Sequence, residues 1–226
     1  MNQSPSSDVW KSVNSNSSNG VIKKSDQFLF RPEKEPIYTP GMSAQPLPLP
    51  LQTARLTLRL PRPEDAEDLL AYYSRADVAR YLLEEPWTPD YAREQLGKRV
   101  ARTGLDSETR ALALVWEQAG RVIGDLGLWL TDQRGEVAEV GWVMHPDYSG
   151  RGMATEAVRP VLDAAFEVYG VHRITAQMDA RNVASARLCE RLGMQREAHL
   201  RQDCWSKGEW TDTLIYGMLA ADRAKT

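Results

Sequence analysis

The segment best suited to chemistry is a glycine-containing loop between a strand pattern and a helix pattern. The strand pattern ends near Met144, the dipeptide His145-Pro146 breaks it, and Gly150 and Gly152 come just before the helix. Glycine lets the backbone approach a ligand closely, and the free N–H groups at a helix N-terminus form an anion site together with the helix dipole. We therefore expect this loop to hold a phosphate-bearing ligand.

The spacing within this loop argues against two common phosphate-binding classes. A dinucleotide fingerprint requires Gly-x-Gly-x-x-Gly directly after a strand, whereas here the third glycine is missing and a His-Pro-Asp-Tyr spacer intervenes. A nucleoside triphosphate loop requires Gly-Lys-Ser/Thr, which this segment lacks. A Gly-x-Gly before a helix is a weak signal by itself, but the exclusions favour another phosphate-bearing ligand.

The elements that must position this loop follow from the spacing of apolar residues. A strand is expected over 55–60, where leucines alternate with other residues, and a helix begins at Pro63-Glu64-Asp65. Further strands are predicted over 110–116, 122–130, 137–144 and 173–178, helices over 89–102, from the glycine loop to about 169 and over 182–192, and two closing strands joined by Lys207-Gly208. Pro160 is expected to kink its helix or disturb its first turns. This order predicts a mixed sheet covered by helices rather than a doubly wound fold.

Composition narrows the class of protein. The 226 residues carry a formal net charge of −3, which fits one domain with a full core and argues against a nucleic-acid partner. Neither a transmembrane stretch nor a signal-peptide core is visible, so we expect no membrane partner and a cytoplasmic location. Cys189 and Cys204 fit reduced core residues, and no metal site is expected from three widely separated histidines, which are His145, His172 and His199.

The first fifty residues differ in composition from the rest. They are rich in serine, asparagine and lysine, then in proline, so residues 1–50 are predicted to be a flexible N-terminal extension and 51–222 the folded domain. Because Met42 follows Gly41, residues 1–41 are interpreted as an appended leader. The alternative is an extension that docks through Phe28, Phe30 and Tyr38.

Several separate motifs, in the right order, carry a family resemblance. They are Arg55-Leu-Thr-Leu-Arg59, Glu64-Asp-Ala-Glu-Asp-Leu69, the loop from Glu139 to Ala157, Asp179-Ala-Arg-Asn-Val-Ala-Ser185, Arg191-Leu-Gly-Met194 and Lys207-Gly-Glu-Trp-Thr-Asp212. Over about residues 51–220 the chain resembles the GNAT superfamily of N-acetyltransferases, especially the branch with the ribosomal-protein N-terminal acetyltransferases. The resemblance implies the GNAT fold, an α/β (α+β) architecture whose mixed, mostly antiparallel sheet of six to seven strands has helices on both faces.

The resemblance also implies acetyl-CoA as the cosubstrate and assigns its contacts. The pyrophosphate would be cradled by main-chain N–H groups, with Thr155 supporting the helix start; the donors are those of Gly150, Arg151, Gly152, Met153 and Ala154. The strand before the loop would splay from its neighbour, so that an N–H near Val143 or Met144 faces the thioester oxygen. Asn182 would lie beside the acetyl-thiol end. Ser149 stands where the superfamily usually has Gln or Arg.

Three side chains are candidates for proton transfer by the same resemblance. Ser185 would protonate the departing thiolate, although Asn182 and Ser185 also fit an ordinary helix cap. Glu139 would be the general base, with a strand-face glutamate paired to an arginine as the alternative. Asp203 is a second candidate base.

These residues leave more than one function open. The leading hypothesis is transfer of an acetyl group to a primary amine by direct attack in a ternary complex; the alternative is a non-catalytic acyl-CoA sensor of the same fold. The acceptor amine could belong to a protein N-terminus, a protein lysine, a polyamine, an antibiotic or an amino acid, and the enzyme could be a monomer or a homodimer. Six of the seven tryptophans are expected in the core or at its rim, with one or two lining an acceptor groove; they are Trp87, Trp116, Trp129, Trp142, Trp205 and Trp210.

Overall fold

The computed structural model describes residues 47–225. The expectations for 1–46, including the appended leader and the docking through Phe28, Phe30 and Tyr38, lie outside the described residues. Leu47, four residues before the expected boundary at residue 51, is buried in the core. No helix in the described part of the chain is long and apolar enough to cross a membrane.

The predicted strands and helices occur in the predicted order, and three short elements that were not predicted, Leu51–Gln52, Ala76–Ala79 and Thr103–Gly104, occur among them. The strands are β1 Leu51–Gln52, β2 Thr57–Arg59, β3 Thr103–Gly104, β4 Ala111–Gln118, β5 Arg121–Leu130, β6 Val137–Met144, β7 Arg173–Asp179, β8 Gln195–Ser206 and β9 Glu209–Leu219. The helices are α1 Ala66–Tyr73, α2 Ala76–Ala79, α3 Pro89–Val100, α4 Met153–Glu167 and α5 Val183–Leu192, with short 3₁₀ turns at Pro63–Asp65, Pro146–Tyr148 and Ala220–Lys225.

One mixed sheet contains all of these strands. Its order is β1-β2-β4-β5-β6-β7-β9-β8, and β3 pairs with β4. Every pairing is antiparallel except that of β6 with β7. Two of the strands have only two residues, so the seven longer strands agree with the predicted mixed, mostly antiparallel sheet.

Helices α4 and α5 cover one face of the sheet with apolar side chains. From α4, Val158 and Val161 are fully buried, and they belong to the same core cluster as Ala138 and Val140 of β6. Burying an aliphatic side chain of this size contributes roughly 1.5–3 kcal/mol. Helix α4 continues on both sides of Pro160, so the expected disturbance of its first turns does not occur.

Helices α1 and α3 cover the opposite face around a buried polar group. Asp125 of β5 accepts hydrogen bonds from the hydroxyls of Tyr72 (2.7 Å) and Tyr73 (3.0 Å). Arg99 of α3 pairs with the same carboxylate at 3.0 Å. A buried charge is tolerated when it is paired and hydrogen-bonded in this way. Helices on both faces confirm the predicted fold class.

Both cysteines are free thiols. Cys189 is fully buried in α5, and burial raises its pKa to about 12. Cys204 lies half-buried in β8. The prediction of a reduced core residue is confirmed for Cys189.

Candidate active site

Strands β6 and β7 form a fork. They pair in parallel only over Val137–Glu139, which lie opposite Arg173, Ile174 and Thr175. Beyond Glu139 the two strands have no ladder pairing with each other, although β6 stays paired to β5 and β7 to β9. The sheet therefore contains an open gap between residues 140–144 of β6 and residues 176–179 of β7. The resemblance predicted that β6 would splay from its neighbour in this way.

The hydrogen-bond alternation of β6 decides which main-chain groups face this gap. His145 donates its N–H to Ile123 of β5 at 2.8 Å, and Val137 accepts from Thr131 at 2.9 Å, so odd-numbered residues bond towards β5. Even-numbered residues, including Trp142 and Met144, consequently turn their N–H and C=O groups to the gap. Of the two candidates near the thioester oxygen, this alternation favours Met144, because the N–H of Val143 points towards β5.

The loop after β6 takes the shape that its glycines permit. Gly150 has φ 76° and Gly152 has φ 77°, both in the left-handed region that favours glycine. Gly152 is the N-cap of α4, and the first intrahelical bond runs from Glu156 N–H to its carbonyl at 3.1 Å. The N–H groups of the first turn, residues 153–155, therefore have no acceptor within the helix.

The side chains of the loop differ in what they contact. Met153 is buried in the core, so only its main chain can face a ligand. Ser149 ends the Pro146–Tyr148 turn, and the guanidinium of Arg151 lies 5.9 Å from the Tyr148 ring centre. Thr155 accepts a hydrogen bond from Arg191 Nε at 3.3 Å, which ties the start of α4 to the end of α5.

Glu139 is the last residue of β6 before the gap. In the sheet, Glu139 lies opposite Trp129. Val143 is four residues further along β6, so its side chain is on the same face as that of Glu139, and it lies opposite Asp125. The side chain of Glu139 is therefore on the face covered by α1 and α3. Gln177 Nε2 donates to its carboxylate at 3.0 Å. Burial raises the pKa of Glu139, and the hydrogen bond from Gln177 opposes this effect only in part. The partner is thus a neutral amide rather than the arginine that the alternative interpretation required.

Asn182 and Ser185 form a helix cap at the start of α5. The Asn182 side-chain oxygen accepts the Ser185 N–H at 3.1 Å. The other end of α5, at Arg191, reaches Thr155 beside the loop. Asn182 and Arg191 are nine residues apart along α5, which corresponds to about 14 Å. Asn182 and Ser185 therefore lie at the end of α5 that is far from the loop.

Asp203 lies away from Glu139, the other candidate base. It is exposed on β8, in a stretch where the register with β9 shifts between Leu200 and Cys204. Strands β7 and β9 lie between β8 and β6, which corresponds to about 14 Å at the usual strand spacing.

Sequence reasoning missed Gln177 beside Glu139, and it named Trp129 only as one of six tryptophans that could line an acceptor groove. Gln177 can be found by alternation, because it shares a face of β7 with Thr175, the partner of Glu139. The indole ring of Trp129 packs over Gly127 and Gly141, which face each other on β5 and β6. A Cβ added to either glycine would lie 3.4 Å from this ring. Trp87 and Trp116 are buried as expected, whereas Trp205 and Trp210 are more than half exposed.

Known proteins with a similar sequence or fold identify the family of this chain. The family model for the acetyltransferase (GNAT) domain matches residues 55–195. The uncharacterized N-acetyltransferase p20 of Bacillus licheniformis is 29% identical over 174 residues, covering 77% of this chain and 98% of that protein. The fold also matches the ribosomal-protein-S5-alanine acetyltransferase of Vibrio fischeri (TM-score 0.66, 23% identity, 76% and 97% of the chains). Spermidine N-acetyltransferase of Vibrio cholerae, solved with CoA and spermine, matches with TM-score 0.64 and 22% identity, over 76% and 99% of the chains.

A mixed sheet with an open fork and with helices on both faces is the GNAT fold that the matched solved structures share. The chain belongs to the GNAT acetyltransferase family, and it is an N-acetyltransferase. Within residues 47–225, no group of three or more His, Cys, Asp or Glu side chains could hold a metal ion.

Proposed function

We propose that this protein transfers the acetyl group of acetyl-CoA to a primary amine by direct attack within a ternary complex. The observation that carries the proposal is the fork, which pairs over three residues and then opens beside the Gly150–Gly152 loop. A ligand with a diphosphate and an amide-bearing arm fits this site. The N–H donors at the start of α4 suit the diphosphate, and the unpaired edge of β6 suits the amides of the arm.

Donor binding would begin at the loop. The N–H groups of residues 150–154 hold the diphosphate of CoA, and the arm runs into the gap along β6. Trp142 and Met144 offer it main-chain groups in the way that another strand would. An N–H on this edge can also bond the thioester oxygen, where negative charge grows during attack.

Glu139 is the general base in this proposal. The attacking amine must be neutral, and an alkyl amine with a pKa of roughly 10.4 needs a base more than an N-terminal amine near 8. Burial raises the pKa of Glu139, which makes its carboxylate a better proton acceptor than an exposed one. Its position at the closed end of the fork directs it to the face under α1 and α3, where an acceptor can approach the acetyl group.

Ser185 would return a proton to the departing thiolate. Its main-chain N–H is occupied by the cap with Asn182, which leaves the hydroxyl available. The amide nitrogen of Asn182 is not needed for the cap and can bond the donor. The acetyl group then leaves the sulfur for the amine nitrogen, and free CoA forms as the thiol.

The acceptor is a primary amine of a protein N-terminus or of a small molecule. Two of the matched structures are named for their acceptors, which are spermidine and the alanine of ribosomal protein S5. Trp129 and Glu139 together would form the floor of the acceptor groove, since an indole and a carboxylate suit an amine with an apolar stem.

Thiol release from acetyl-CoA tests this proposal. We expect CoA to appear faster with at least one amine than in the absence of amine, across N-terminal peptides, polyamines, amino acids and aminoglycosides, and the mass of the product to increase by one acetyl group. Calorimetry with CoA runs in parallel. Tight CoA binding without turnover on any amine would favour the non-catalytic sensor, and no CoA binding by folded protein would reject the site itself.

A further inference from the structure

We propose that Arg55 is a positioning residue for the diphosphate end of the donor, and that it acts by bracing the loop at Gly150–Gly152 from the turn between β1 and β2. The inference rests on the proposed function, since it concerns how that same site holds CoA. Arg55 is about one hundred residues away from the loop in sequence.

The brace is centred on the carboxylate of Glu156 in the first turn of α4. Oε1 of Glu156 accepts the main-chain N–H of Arg55 at 2.7 Å and the hydroxyl of Thr53 at 2.7 Å. Oε2 accepts Arg55 Nε at 2.7 Å and pairs with Nη2 at 2.6 Å. Four donors on one carboxylate, two of them a guanidinium fork, fix both position and orientation.

The same guanidinium also holds the loop itself. Arg55 Nη1 donates to the carbonyl of Arg151 at 2.9 Å, between the two left-handed glycines. Nη2 lies 3.7 Å from the position that a Cβ would take on Gly152. Because glycine populates many backbone conformations, a bond to the carbonyl between two glycines restricts the loop to one of them.

The turn that carries Arg55 is itself well defined. Thr53 donates its N–H to the carbonyl of Leu56 at 2.9 Å, and Leu56 donates its N–H to the Thr53 hydroxyl at 2.9 Å. Leu56 is buried in the core, so the turn is anchored independently of the loop. The hydroxyl of Thr53 thereby links this anchored turn to Glu156.

The charges of the brace are fixed at neutral pH. Partial burial alone would raise the pKa of Glu156, but the hydrogen bonds from Thr53 and Arg55 outweigh it and hold the pKa below its usual value. The carboxylate is therefore ionised, and its charge offsets that of Arg55. The side chain of Arg55 acts through Arg151 and Glu156, and the donors offered to the diphosphate are the loop N–H groups.

An acetyl donor that lacks the diphosphate distinguishes a positioning role of Arg55 from a general loss of structure or activity. We would compare acetyl-CoA with S-acetylpantetheine, which has the thioester arm without the diphosphate, in wild type, Arg55→Ala, Arg55→Lys and Glu156→Gln. Arg223→Ala is the matched control, because Arg223 pairs with Asp163 and Glu167 of the same helix, away from the loop. Thermal unfolding shows which variants are folded.

For Arg55→Ala we expect kcat/KM for acetyl-CoA to fall about tenfold, through a higher KM and an unchanged kcat. This is about the loss that one missing charge-assisted hydrogen bond causes. With S-acetylpantetheine, Arg55→Ala should equal wild type within about twofold, and Arg55→Lys should recover part of the acetyl-CoA loss. Arg223→Ala should leave both donors unchanged. Equal losses on the two donors, or no loss on either, would overturn the positioning role.

Calorimetric titration with CoA keeps this test distinct from that of the proposed function. If wild type binds CoA without turnover, the transfer reaction is rejected, and the CoA dissociation constant of Arg55→Ala still decides the brace by the same tenfold criterion. If folded wild type does not bind CoA, both proposals fail.

Discussion

At the loop end of the proposed site, residues 150–155 offer main-chain N–H groups, whereas at the fork end the groups on offer are the side chains of Glu139 and Gln177. The first arrangement depends on backbone conformation and tolerates many side chains. The second depends on single functional groups. Substitutions should therefore separate the two ends: changes at the fork act on kcat, and changes at the loop act on the affinity for the donor.

The largest effect is expected at the fork end. Glu139→Gln keeps the shape of the side chain but removes the base, so kcat with an alkyl amine should fall about 100-fold, the lower range for general acid–base catalysis. The loss should be smaller for an N-terminal peptide amine, whose pKa is closer to neutral. Steady-state kinetics with both amines measures this difference. An unchanged kcat with both would remove Glu139 from the base position.

The pH dependence sharpens the same assignment. Burial raises the pKa of Glu139, so the wild-type rate should rise with pH through that raised value as the carboxylate loses its proton, and Glu139→Gln should lack this limb. Since an acid with a raised folded-state pKa costs stability once the pH exceeds its unfolded pKa, the variant should unfold at an equal or higher temperature at pH 7. A lower unfolding temperature would mean that the rate loss reflects folding.

The next effect is expected at the loop end. Gly152→Ala places a Cβ at φ 77°, which costs roughly 1–2 kcal/mol in the left-handed region, so the loop should leave its CoA-binding shape and the affinity for CoA should fall about tenfold. Gly170→Ala is the matched control, because Gly170 also has positive φ (66°) and an added Cβ there meets nothing within 4 Å. Calorimetry should show weaker CoA binding only for Gly152→Ala; equal affinities would contradict the role of the loop.

Asn182 has both a structural and a ligand-binding role in this account. Asn182→Ala removes the cap of α5 and should lower the free energy of unfolding by about 1 kcal/mol, and it should also raise KM for acetyl-CoA a few-fold. Thr88→Ala removes the corresponding cap of α3, where Thr88 accepts the Tyr91 N–H at 3.3 Å. That control should lose similar stability in chemical denaturation without a change in KM. A matching change in KM would leave Asn182 with a structural role alone.

The smallest effect is expected for Asp203. Its exposure on β8 and the two strands between it and Glu139 predict that Asp203→Asn changes kcat by less than about twofold, as is usual for a surface substitution. A loss comparable to that of Glu139→Gln would reverse the assignment of the base.

The sequence was sufficient to predict the longer strands and helices and the glycine turn before α4, because these depend on local signals. Alternating leucines identify β2, and Gly193 after the last apolar position marks the end of α5, where it adopts φ 89°. Contacts between distant residues could not be predicted in the same way. Nothing near Arg55 indicates Glu156 as its partner, and the burial of Asp125 by Tyr72, Tyr73 and Arg99 depends on the packing of three elements.

Residue-resolved amide hydrogen exchange, with and without CoA, tests the site most directly. The gap-facing amides of Trp142 and Met144 and the first-turn amides of residues 153–155 should exchange more slowly when CoA is bound. The amide of Val137, which donates to Asp132 Oδ1 at 2.9 Å, and the amide of Val143, which faces β5, should change little. Calorimetric CoA binding accompanied by protection elsewhere, with none at these amides, would contradict the proposed site.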